Sequence, residues 1–299
     1  MSRRNRERRR YQREQALRQT TSKKPTVARR RNKTADRPWG IFAAIGGTIL
    51  LFAALITVLD LTSGPGAPPV KASSVPSKVL AAVTHVSTKN LQTVGVGADN
   101  NPPTVLGKKF TLKSGGKPEV LYVGAEYCQY CALERWSLIG ALSQFGKFSG
   151  LQTIRSAAAE YYIATFTFAR AKYESKYLTF VPREMFTNIP SSTGYVPLQT
   201  LTAAESRLFT NIGKSGFPFV DFGGVTAQVG SESTQPGPSG LHGYNWTQIA
   251  AQLNQPKSTT AQMILGGINY DTAAICKITN NRPGSVCDRS VVKQLEKKL

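Results

Sequence analysis

Residues Val120 to Trp136 read V-L-Y-V-G-A-E-Y-C-Q-Y-C-A-L-E-R-W. An apolar run ends at Gly124, and two cysteines, Cys128 and Cys131, follow with two residues between them. After them Leu133, Trp136, Leu138, Ile139 and Leu142 give an apolar side at helical spacing. Strand, short turn and a helix opening on C-x-x-C is the layout of a redox dithiol. It sets the first sulfur beside unpaired helix amides and the positive end of the dipole, where a thiolate is favoured. Cys128 is then the expected nucleophile. Cys131, one turn into the helix, is the expected resolving thiol.

Two other uses of such a pair stay open at this point: a metal site and an inert disulfide. Zinc sites assembled from two C-x-x-C pairs need matched spacing. Here the other cysteines, Cys276 and Cys287, have ten residues between them, and His85 and His242 show no ligand-like spacing. No metal and no cofactor are therefore expected. Cys276 and Cys287 bracket a polar loop and are expected as a structural disulfide. Gly216-Phe217-Pro218-Phe219-Val220-Asp221-Phe222-Gly223-Gly224 reads as a proline-initiated apolar strand ending in a turn.

The segment 125–128 after an apolar strand resembles the thioredoxin active site, with Tyr127 where that family usually has Trp. The resemblance implies a cis-proline facing the dithiol, here Pro218. It also implies a peptide groove lined by Phe217, Tyr127 and Tyr130. Thioredoxins bury an Asp in the strand six residues before the first cysteine; this chain has Tyr122 there. Glu126 is the carboxylate nearest in sequence and is a candidate for the proton relay, although its position predicts a solvent-facing side chain. The wider pattern V-G-A-E-Y-C-x-Y-C-A-x-E-R-W, Val123 to Trp136, resembles a little-characterised thioredoxin-like family (a domain of unknown function) of membrane-associated archaeal and actinobacterial proteins. That resemblance spans 78–299. The expected fold class is α/β, thioredoxin-like, with an enlarged insert between the C-x-x-C helix and the cis-proline strand.

The remaining organisation follows from charge and hydropathy. The net charge is +21, of which residues 1–38 carry fifteen Lys or Arg against three acidic side chains. That stretch is expected to be a disordered basic cytoplasmic tail. Residues 41–59 lack charge, so 39–60 is expected as one transmembrane signal-anchor helix, with the tail in the cytoplasm by charge bias. Residues 61–77, rich in Pro, Gly and Ser, read as a linker, and 78–299 as an extracytoplasmic domain. On this reading the protein is a single-pass membrane thiol-disulfide oxidoreductase. Its expected partners are extracytoplasmic protein thiols or disulfides and a redox partner in the membrane. The alternative is a non-catalytic thioredoxin-fold binding or structural subunit of a cell-envelope complex. Nucleic acid is not an expected partner, since the basic tail is accounted for by topology and anionic lipid.

Downstream, Thr202-Ala-Ala-Glu205 and Asn245-Trp-Thr-Gln248 are capping boxes that predict helix starts. Val105–Leu106 and Phe110–Leu112 suggest a small hairpin, and a helix is expected from Thr260 to Leu265.

Overall fold

The computed structural model describes residues 68–107 and 110–299. Its strands are β1 (Ser73–Ser74), β2 (Thr104–Val105), β3 (Lys113–Ser114), β4 (Lys117–Gly124), β5 (Lys147–Ser149), β6 (Gln152–Arg155), β7 (Ala164–Thr167), β8 (Lys172–Glu174), β9 (Thr179–Glu184), β10 (Phe186–Ser191), β11 (Gly194–Pro197), β12 (Phe219–Phe222) and β13 (Thr226–Val229). The helices are α1 (Ser77–Thr84), α2 (Thr88–Val94), α3 (Gln129–Leu142), α4 (Ala203–Asn211), α5 (Trp246–Gln252), α6 (Thr259–Ile278), α7 (Gly284–Cys287) and α8 (Ser290–Glu296).

Strand β4 is the axis of the main sheet. It pairs antiparallel with β12 on one side and parallel with β9 on the other. β12 turns through Gly223 and Gly224, both at positive φ, into its hairpin partner β13. Because side chains alternate along a strand, β4 feeds two cores. Val120 and Tyr122 join the larger core with Trp136, Ile139, Val220 and Ile268. Leu121 and Val123 face a smaller one with Phe209, Phe219 and Ala227. Burial on both faces explains why the strand reads as an unbroken apolar run rather than as an alternating one.

Helix α3 carries the cysteines and lies between layers. Every residue from Cys131 to Leu142 is buried, so the single apolar side read from the sequence understates it. Trp136 Nε1 donates to the Ala164 carbonyl (3.0 Å), and the Thr165 hydroxyl donates to that of Ala132 (2.7 Å). These bonds tie α3 to β7, which forms a second sheet with β6 and β1. On its other flank α3 meets α6. α6 does not stop at Leu265; it runs on through Gly266 and Gly267 to Ile278. Their helix-breaking tendency is overridden because almost the whole helix is buried. Val105 does not form a hairpin with residues 110–112 either: β2 pairs with β13. Part of the expected linker is docked, since β1 pairs with β6 and the Val70 carbonyl accepts from Asn188 (3.2 Å).

Among the described residues no helix is long and apolar enough to cross a membrane. This corrects the fold class, which had placed one transmembrane helix before the domain; the stretch 39–60 lies outside the described residues. The signal-anchor, the single-pass location, the extracytoplasmic side, contact with a membrane through 41–59 and the membrane redox partner all rested on that helix. None has support among the described residues.

Cys276 and Cys287 are disulfide-bonded and join the end of α6 to α7. With eleven residues of sequence separation, the chain-entropy account gives the crosslink about 3 kcal/mol. Replacing both cysteines with Ala is expected to lower the unfolding free energy by about that amount in urea titration. An unchanged midpoint would show that α7 and α8 hold without the crosslink.

Candidate functional site

Cys128 is the N-cap of α3, and its sulfur accepts the backbone N–H of Cys131 at 3.3 Å. The neighbouring Cys131 thiol, assisted by the Cys131 and Tyr130 amides and the Arg135 charge, holds the Cys128 pKa below the ordinary thiol range despite burial. Burial pushes Cys131 well up, reinforced by the Cys128 sulfur beside it. Cys128 is 6% exposed and Cys131 fully buried. One thiol is thus poised as the more acidic, reachable partner, and the other is kept protonated beneath it.

Behind the pair stands a buried ion pair. Arg135 donates from Nε to Glu184 Oε1 (2.9 Å) and from Nη2 to Oε2 (2.7 Å), with a further bond to the Ala125 carbonyl (2.8 Å). Both side chains are fully buried. Glu184 sits at the end of β9, in register with Gly124 of β4, which brings its carboxylate under the start of α3. Tyr122 fills the place where thioredoxins carry a buried Asp. Its ring packs edge-on against Phe168 with centroids 5.0 Å apart, and Arg135 lies 6.0 Å from its centroid. Its hydroxyl has no hydrogen-bond partner among the described residues. Gly124 makes room for that hydroxyl: a Cβ there would stand 2.1 Å from it.

Glu126 is buried rather than solvent-facing, because the chain after Gly124 turns inward under β10. The Thr167 hydroxyl donates to its Oε1 at 2.7 Å, and burial raises its carboxyl above the usual range. Among the described residues it has no hydrogen bond to either cysteine.

Aromatic rings cover the dithiol. Tyr127, Phe186 and Phe217 pack on the Ala125–Cys128–Cys131 cluster. Tyr127 stacks on Tyr195 with centroids 4.1 Å apart, and Phe217 stacks on Phe209 at 5.2 Å. The Phe217–Pro218 peptide is cis and leads into β12. Tyr130, 37% exposed, stands outward on the first turn of α3. Phe186 and Tyr195 belong to the β10–β11 hairpin. It is anchored beside the site by Glu126 N–H to the Phe186 carbonyl (2.9 Å) and Met185 N–H to that of Gly124 (2.8 Å). The hairpin, Arg135 and Glu184 were not assigned to the site from sequence. The alternation of Phe186 and Asn188, then Tyr195 and Pro197, around Ser191–Gly194 was the available sign of the hairpin.

The C-x-x-C pair preceding a helix is consistent with a thioredoxin-like active site and with redox-active chemistry. Residues 105–191 match the family model of a domain of unknown function, DUF929. That match corrects the broader resemblance over 78–299: it covers a shorter stretch and brings with it neither a membrane association nor an archaeal or actinobacterial grouping. No curated protein and no solved structure matches the chain.

Proposed function

We propose that the protein catalyses thiol–disulfide exchange through Cys128 and Cys131. The observation that carries this reading is the asymmetry of the pair: Cys128 caps the helix with its sulfur accepting the Cys131 amide, and Cys131 lies fully buried behind it. Cys128 thiolate attacks one sulfur of a substrate disulfide. A Cys128–substrate bond forms, the substrate S–S bond breaks, and one substrate thiolate leaves. Cys131 then passes its proton to the departed substrate thiolate, directly or through solvent, and attacks the Cys128 sulfur, which releases the second substrate thiolate and leaves Cys128–Cys131 oxidised. The reverse sequence oxidises a dithiol. Phe217 and Pro218, with Tyr127 and Tyr130, line the approach to Cys128 in this scheme.

The test is alkylation of the protein across a series of glutathione potentials and pH values, read by mass spectrometry. The Cys128–Cys131 couple is expected to titrate reversibly while Cys276–Cys287 stays closed. In the reduced protein the alkylation rate of Cys128 should rise with pH to a plateau, with its midpoint below the ~8.5 of an unperturbed thiol. Cys131 should react only at higher pH or on unfolding. A pair that never opens without denaturant, or a Cys128 midpoint at or above 8.5 with no exchange, would remove the enzymatic reading.

A further inference from the structure

Away from the sulfurs, α3 sends Glu134 into a second buried cluster. Glu134, Glu232 of the loop after β13 and Asp271 of α6 each place one carboxylate oxygen within 4.8 Å of the others. All three side chains are buried. Among the described residues neither oxygen of Glu134 or Asp271, nor Oε1 of Glu232, has a hydrogen-bond partner. The ion pairs of the described residues, Arg135–Glu184, Arg183–Glu205 and Lys293–Asp288, lie elsewhere. Carboxylates in such a place must be neutralised, by protons or by a cation.

A cradle cut into α6 accompanies the cluster. A Cβ on Gly267 would stand 3.1 Å from Glu232 Oε2 and 2.5 Å from Ser137 Oγ, and one on Gly266 would stand 2.6 Å from Asp99 Oδ2. Two consecutive glycines inside a long helix therefore let carboxylates settle against its backbone. Both oxygens of Asp99, beside Gly266, are buried and unpartnered among the described residues as well. A single ion meets an oxygen from each of the three clustered carboxylates at once, which a proton shared between two of them does not.

We propose that Glu134, Glu232 and Asp271 bind one hard divalent cation of the Ca2+ type, with Asp99 adjoining. Ligand oxygens at about 2.3–2.6 Å from one ion stand up to about 5 Å apart, which the cluster meets. An all-oxygen donor set selects Ca2+, Mg2+ or Mn2+ over zinc. Binding displaces the protons that the carboxyl groups otherwise hold. The ion ties the dithiol helix α3 to α6 and to the loop after β13, so its role is structural and independent of the thiol reading. The sequence carries no sign of it, because its members stand at 134, 232 and 271 with no ligand-like spacing.

The test uses the full chain. Metal content is measured before and after EDTA, and the stripped protein is titrated with Ca2+, Mg2+ or Mn2+ in calorimetry and thermal melting. One equivalent is expected, with Tm rising on the order of 5–10 °C at a hundredfold excess over Kd. Glu134→Gln and Asp271→Asn should each abolish both effects. Absence of any bound cation, with Tm unmoved by EDTA and by added metal, would overturn the proposal in favour of a proton-sharing cluster. So would binding that persists in both variants. The wild-type titration stands even where a variant fails to fold.

Discussion

Cys128→Ser is expected to abolish exchange, whereas Cys131→Ser leaves a protein that accumulates covalently bound substrate. The two outcomes follow from the different surroundings of the sulfurs. Cys128 caps α3 and its sulfur accepts the Cys131 amide, so negative charge is best held there. A serine hydroxyl in that place ionises far outside the working range, and loss of a nucleophile of this kind costs on the order of a thousandfold or more in rate. Cys131 is fully buried with its thiol pushed upward. It acts only once Cys128 is engaged and the neighbouring sulfur has become part of a disulfide. Without it the first step proceeds and the second does not. The check is mass spectrometry of each variant after incubation with a peptide disulfide. A stable adduct should form on Cys131→Ser and none on Cys128→Ser. Equal turnover by the two variants would mean that neither sulfur has the assigned role.

The pair was legible because its signal is local. Strand, turn, two cysteines and helix lie within seventeen residues, and the apolar run of β4 is what burial on both faces produces. Local too are the capping boxes at Thr202–Glu205 and Asn245–Gln248, present as reciprocal hydrogen bonds, and the Gly223–Gly224 turn between β12 and β13. What could not be read depends on partners far along the chain. Glu134 and Arg135 lie off the apolar side that the sequence shows for α3, yet both are buried: Arg135 finds Glu184 across 49 residues, and Glu134 meets Glu232 and Asp271. Glu126 read as solvent-facing because nothing nearby foretold that β10 would close over it. Gly266–Gly267 read as the end of a helix; local propensity lost to packing of α6 against α3. Tyr195 reached the site only because the β10–β11 hairpin folds over Tyr127.

Arg135→Met should separate two roles of the ion pair beneath the dithiol. With Arg135 gone, Glu184 is left charged and fully buried, keeping only the Phe168 amide at 3.1 Å among its described side-chain hydrogen bonds. Breaking one member of a buried pair in this way costs about 3–5 kcal/mol of folding free energy. The double variant Arg135→Met/Glu184→Met removes both charges and replaces them with apolar volume, so much of that loss should be recovered. The Cys128 thiol behaves differently. Arg135 helps hold its pKa below the ordinary thiol range, and neither variant restores a positive charge. Its alkylation midpoint should therefore move to higher pH in the single and the double variant alike, with a smaller thiolate fraction at any fixed pH below it. Urea titration reads the first effect and pH-dependent alkylation of the reduced protein reads the second. If stability and midpoint recover together in the double variant, Arg135 acts on Cys128 only by keeping α3 in place. If the midpoint stays high while stability returns, its charge acts on the sulfur directly, and the buried pair belongs to the chemistry of the site.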